Sequence, residues 1–149
     1  MPSLPSETVN RYIKNAQAVS RSRAERLAVT YALGVNAPPR QIKYHRKARN
    51  PRLRPPKEKS KTEKEVRTWV DSVLAEIHAA LCKRSPRYKK EVSVLNHSGD
   101  VIIISIAAAV ANQLRVNIVV VASLVAALLR MALKMGVSVF CKRFESGFL

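Results

Sequence analysis

A chain of 149 residues has room for one domain of ordinary size, and its 27 lysines and arginines against 10 acidic residues give a net charge of +17. So large an excess opposes compaction and attracts polyanions, of which nucleic acid is the commonest in a cell and an anionic membrane surface the second. The two cysteines form no CxxC motif and no signal peptide is visible. The sequence therefore predicts reduced thiols in a cytoplasmic protein, with membrane association as the alternative location.

Residues 1–36 predict an N-terminal helical segment. Apolar residues recur at helical spacing behind Ser6, which is a candidate N-cap. Ser22 and Glu25 have the spacing of a capping box, which opens a second helical run that stops at Gly34. Because the apolar face of this segment is thin, we expect it to need a partner surface.

The segment 37–61 predicts a basic extended arm. Residues 40–64 hold eleven cations and two acidic residues, which is more than half of the net charge in 25 residues. Five prolines interrupt any helix, and the few apolar side chains cannot offset the entropy of ordering, so we expect the arm to be disordered when free.

The chemistry of the arm suits phosphate binding. The planar fork of arginine pairs with phosphate oxygens, and an aromatic ring among the cations could stack on an exposed base. The candidate nucleic-acid-binding residues are Arg40, Lys43, Tyr44, Arg46, Lys47, Arg49, Arg52, Arg54 and Lys57. The competing interpretation is a solvated linker that only keeps the protein soluble.

A third helix is predicted behind Thr62, which opens another capping box. An apolar stripe with Trp69 at its centre predicts a face directed at the core, and the opposite face carries Asp71 and His78. A proline behind a candidate N-cap predicts a further short helix over 86–95.

Residues 100–136 are almost wholly apolar and divide into two runs around a break at 115–117. This pattern predicts a helical hairpin in which Asn117 caps the second arm. Alanines favour the helix, whereas the β-branched runs favour strands. An α/β arrangement with strands at 101–106 and 117–122 is therefore the alternative fold.

The hairpin could lie in a soluble core or in a membrane. Neither apolar run reaches the ~20 residues of a typical span, and a cation at mid-bilayer costs roughly 3 kcal/mol. We therefore expect a soluble helix pair that packs on a second copy or a larger assembly, with a shallow membrane hairpin as the alternative. One narrow face of the second arm is predicted to be its water-facing edge and consists of Ser123, Ala127, Arg130 and Lys134.

Chemical motifs are few. His78 and Cys82 stand four residues apart, a spacing that binds metal from one helix face, but no motif places the further ligands of a site. No Gly-rich phosphate loop, HExxH or GxSxG motif occurs. The sequence therefore predicts no metal, no cofactor and no catalytic residue, and a protein that is not an enzyme.

These features together predict an all-α protein of three parts: the N-terminal helical segment 1–36, the basic extended arm 37–61, and a helical domain 62–149 that contains the hydrophobic hairpin 100–136. The expected function is non-catalytic binding of RNA or DNA through the arm, with the apolar helices self-associating or docking to a larger assembly. The alternative is a membrane-associated protein whose hairpin inserts while the arm lies on anionic lipid.

Overall fold

The computed structural model describes residues 4–36, 61–83, 86–90 and 99–145, and the regular elements in these ranges are all helices. In chain order they are α1 Ser6–Val19, α2 Arg23–Asn36, α3 Lys61–Leu81, a 3₁₀ turn Pro86–Tyr88, α4 Asp100–Leu114, α5 Ile118–Met135 and α6 Val137–Glu145. The predicted all-α fold is confirmed. The arm at 37–60 and the end of the predicted short helix, 91–95, lie outside the described residues.

The alternative prediction of strands at 101–106 and 117–122 is wrong. The first segment lies in α4, and the second holds the cap and the first residues of α5. A helix pairs its backbone groups within one segment, so the alanine-rich runs need no neighbouring strand. The β-branched side chains pack on neighbouring helices instead, and this packing outweighs their modest strand propensity.

Helix α5 forms the centre of the fold. Its apolar side chains lie on all sides, which is the pattern of a helix buried all round. Helices α1, α2, α3, α4 and α6 each pack on it, and twelve of its 18 residues are buried. One continuous cluster of buried apolar side chains includes residues of all six helices. The N-terminal helices thus use the hydrophobic hairpin as their partner surface.

Two of the four residues that were predicted to form a water-facing edge of α5 are buried instead. Ser123 and Ala127 are buried, and the Ser123 hydroxyl donates a hydrogen bond to the Val120 carbonyl at 2.6 Å. Only Lys134 is exposed, whereas Arg130 is half-buried. The reason is that neighbouring helices surround α5 on this side too, which the spacing of residues within one helix cannot reveal.

Local signals place several helix ends correctly. The Asn117 side chain accepts a hydrogen bond from the Val119 amide at 2.9 Å, as predicted for a cap of α5. Ser22 accepts one from the Glu25 amide at 3.1 Å, which confirms the cap before α2. Gly34, however, does not end α2, which continues to Asn36 because a single helical glycine costs only about 1 kcal/mol.

The start of α4 is tied to α1 through one carboxylate. Asp100 Oδ1 accepts hydrogen bonds from Arg11 Nη2 at 2.8 Å and from the Tyr12 hydroxyl at 2.9 Å. Burial and the hydrogen bond to Asp100 raise the pKa of Tyr12 to about 12. The N-terminal segment is therefore fixed to the hairpin by polar contacts as well as by the apolar core.

By length and composition alone, α5 is the one helix among the described residues that could cross a membrane. Its 18 residues lie at the lower end of the range of membrane spans. Two-thirds of the helix is buried inside the protein, and the core helix of a soluble protein passes the same test.

Candidate polyanion-binding surface

All nine candidate residues of the basic arm lie outside the described residues: Arg40, Lys43, Tyr44, Arg46, Lys47, Arg49, Arg52, Arg54 and Lys57. The structure describes Asn36, the residue before the arm at the end of α2, and Lys61, the last residue of the predicted arm, which is the first residue of α3. Asn36 donates a hydrogen bond to Asn10 Oδ1 at 2.7 Å and accepts one from Arg130 Nη1 at 2.9 Å. The point at which the arm leaves α2 is therefore fixed to both α1 and α5.

Exposed cations stand on the two helices that the arm connects. On and just before the first turn of α2 these are Arg21, Arg23 and Arg26, and at the start of α3 they are Lys61 and Lys64. A shallow cavity of about 280 Å³ is lined by Arg23 and Arg26 together with Thr62 and Glu63, so the two helix starts lie side by side. The chain thus enters α3 beside the cations of α2.

A larger groove of about 560 Å³ lies between α2 and α3, with α5 as its floor. The floor is apolar, and the rim carries Glu63, Arg67 and Asp71, which stand four residues apart on α3. Across the groove, burial and the nearby Asp71 raise the pKa of Tyr31, while Arg67 partly opposes the shift. An apolar floor below a charged rim suits packing or ligand contact rather than acid–base chemistry.

The end of α3 departs most from the sequence prediction. His78 was expected on the polar face, but it is buried, and its ring stacks on Phe144 of α6 with centroids 4.2 Å apart. Its Nε2 lies 3.9 Å from Glu145 Oε1. The prediction failed because α6 covers this part of α3, a contact between distant segments that no helical spacing encodes.

The two cysteines, predicted to be reduced thiols, form a disulfide between Cys82 and Cys141 with Cα atoms 5.7 Å apart. They are separated by 59 residues, and only the docking of α6 brings them together. Cys82 follows the end of α3 and Cys141 is the middle residue of α6, so no spacing within one helix indicated that they pair. Because the Cys82 sulfur is bonded, it does not join His78 as a metal ligand, and the described residues contain no cluster of three candidate ligands.

No family model, curated protein or solved structure matches this chain.

Proposed function

We propose that this protein is a non-catalytic nucleic-acid-binding accessory protein that contacts phosphates through its basic arm. The observation that carries the proposal is the density of charge, with eleven cations against two acidic residues between positions 40 and 64. Each cation that neutralises a phosphate releases a condensed counterion. Such a segment therefore binds any nucleic acid, whatever its base sequence.

The described surface supports this proposal at the end of the arm that enters α3, because the start of α2 lies beside the start of α3. Arg23 and Arg26 are exposed on α2, and Lys61 and Lys64 are exposed on the first turns of α3. A phosphate backbone that binds the arm can therefore continue onto cations carried by rigid helices. Rigid cations lose less conformational entropy on binding than the same groups on an extended segment.

The docking part of the proposal rests on α4. Val101 and Ile104 are about half exposed and stand three residues apart, so they lie on one outer face of that helix. Exposed apolar side chains on one face favour self-association or attachment to a larger assembly. Membrane association is the second candidate function, favoured by the length and apolar composition of α5.

The test replaces Arg46, Lys47, Arg49, Arg52 and Arg54 together with Gln. We expect steeply weaker binding to a DNA or RNA duplex in filter-binding titrations at two salt concentrations. The salt slope should fall by about one unit for each phosphate that the variant no longer neutralises. Helicity and thermal stability should be unchanged.

Arg115→Gln is the control, because Arg115 is exposed in the turn before α5. The turn lies about 18 Å along α5 from Arg130, the residue that holds the start of the arm. This variant should leave the slope unchanged. Unaltered affinity of the arm variant would refute the proposal, and salt-resistant sedimentation of the wild type with anionic vesicles would favour membrane association instead.

A further inference from the structure

The end of α3 carries a second group of cations, far along the chain from the basic arm. Its members, all exposed, are Lys83, Arg87, Lys89, Lys90, Lys142 and Arg143, and they are called here the α3–α6 basic surface. Four of them follow α3 directly in the chain, and two belong to α6. Only tertiary contacts can bring these two sets together.

The first set is held by the 3₁₀ turn, which folds back on α3. Tyr88 is buried, and its hydroxyl donates a hydrogen bond to Glu76 Oε2 at 2.6 Å. Arg87 Nη1 lies 3.5 Å from the same carboxylate oxygen. Arg87 and its neighbours are therefore fixed against the last two turns of α3.

The second set is held by α6, which docks on the same turns of α3. Phe140 is fully buried, and Phe144 stacks on His78. The disulfide then joins Cys141 to Cys82, and the residue after each cysteine is a lysine, Lys142 or Lys83. One covalent bond thus places Lys142 of α6 close to Lys83 at the end of α3.

The charge balance of this surface favours an anionic partner with many charges. Among the described residues at this end of α3, six cations stand beside two carboxylates, Glu76 and Glu145, and Glu76 is already engaged by Tyr88 and Arg87. Lysines and arginines spread over two elements match the repeated phosphates of a nucleic-acid backbone better than one compact anion.

We propose that the α3–α6 basic surface is a second phosphate-contacting surface for nucleic acid, and that the thiol–disulfide state of Cys82 and Cys141 controls it. The proposal rests on the proposed function, because both surfaces bind the same kind of partner. Reduction requires two low-molecular-weight thiols. Their sulfurs become joined in a new disulfide, while the bond between Cys82 and Cys141 breaks and each cysteine sulfur gains one proton and one electron.

Two features make α6 sensitive to this reaction. The helix has nine residues, fewer than the ~12–15 that an isolated helix needs in water, so its structure depends on the contacts that hold it. Both cysteines are half-buried rather than enclosed in the core, so a small thiol can reach them. In the reduced protein α6 loses its covalent link to α3, and fixing Lys142 and Arg143 on a phosphate backbone then costs more conformational entropy.

The experiment compares the full chain in its oxidised form and after reduction with dithiothreitol, using a 30-base-pair DNA duplex as the probe. Reduction should weaken binding about tenfold at 0.1 M salt and lower the salt slope by about two units, one for each cation of α6. Cys82→Ser with Cys141→Ser should bind like the reduced wild type in both conditions. Equal affinity and equal slope for the oxidised and reduced wild type would overturn the proposal.

A second variant tests the proposal even if Cys82→Ser with Cys141→Ser fails to fold. Lys142→Gln with Arg143→Gln leaves the disulfide intact, and it should bind as weakly as the reduced wild type and lose its response to dithiothreitol. A response that persists in this variant would show that the surface is wrongly assigned. If the arm variant binds normally while Lys142→Gln with Arg143→Gln binds weakly, the proposed binding through the arm fails and this surface stands. If the wild type binds no duplex in either the oxidised or the reduced form, both proposals fail.

Discussion

Truncation of one side chain at the centre of α5 tests whether this helix is the core of the protein. Leu124 is fully buried, and the helix that carries it is surrounded by five others. Leu124→Ala removes three buried carbon atoms, worth about 2.4 kcal/mol in lost transfer free energy. Because the surrounding helices limit collapse of the cavity, a further contribution brings the expected loss of stability to roughly 3–4 kcal/mol.

The assay is equilibrium unfolding in urea, followed by the fluorescence of Trp69, the single tryptophan of the chain. The matched control is Ile118→Ala on the first turn of the same helix, where the side chain is 43% exposed and the loss should stay below about 1 kcal/mol. Both variants should unfold with the slope of the wild type, so that the midpoint reports stability. Equal midpoint shifts for the two variants would mean that α5 is not packed as described.

Two further predictions concern α3 and two tyrosines that donate hydrogen bonds to carboxylates. Trp69→Ala should lower stability by roughly 3–5 kcal/mol in thermal unfolding followed by circular dichroism. Asp71→Ala, on the exposed face, should change stability by less than about 0.5 kcal/mol. Similar shifts for the two variants would show that the face of α3 with Trp69 does not pack on the core. Burial and a hydrogen bond to a carboxylate raise the pKa of Tyr12 and of Tyr88 from 10.0 to about 12. Because the folded chain then keeps protons that the unfolded chain loses, stability should fall as pH rises from 10 to 12. Ionisation of all four tyrosines near pH 10, measured by phenolate absorbance, would contradict this.

The parts of the fold that follow from local sequence were predictable. Asn117 caps α5 and the stripe around Trp69 is buried, because caps and helical faces depend on residues within a few turns of each other. The break at 115–117 likewise predicted the boundary between α4 and α5. Secondary-structure propensity alone left strands possible at 101–106 and 117–122. The structure has helices there, and the side chains of α5 are buried on several sides.

The parts that failed depend on contacts between distant segments. His78 has a polar side chain on a face that α6 covers, and Ser123 lies where neighbouring helices cover α5. The disulfide between Cys82 and Cys141 required knowledge of where α6 docks. The same contact places Lys142 close to Lys83, which no spacing within one helix predicts.

The packing of α5 also bears on the choice between nucleic acid and membrane. Its apolar side chains leave water equally well in the protein core or in lipid, so they do not distinguish the two environments. The polar groups do, because Arg130 reaches Asn36 within the folded protein, whereas a cation at mid-bilayer costs roughly 3 kcal/mol. Transfer of α5 to lipid would also expose to water the apolar faces of the five helices that pack on it. The folded protein avoids this exposure of apolar surface to water, which supports our proposal of a polyanionic partner over a membrane.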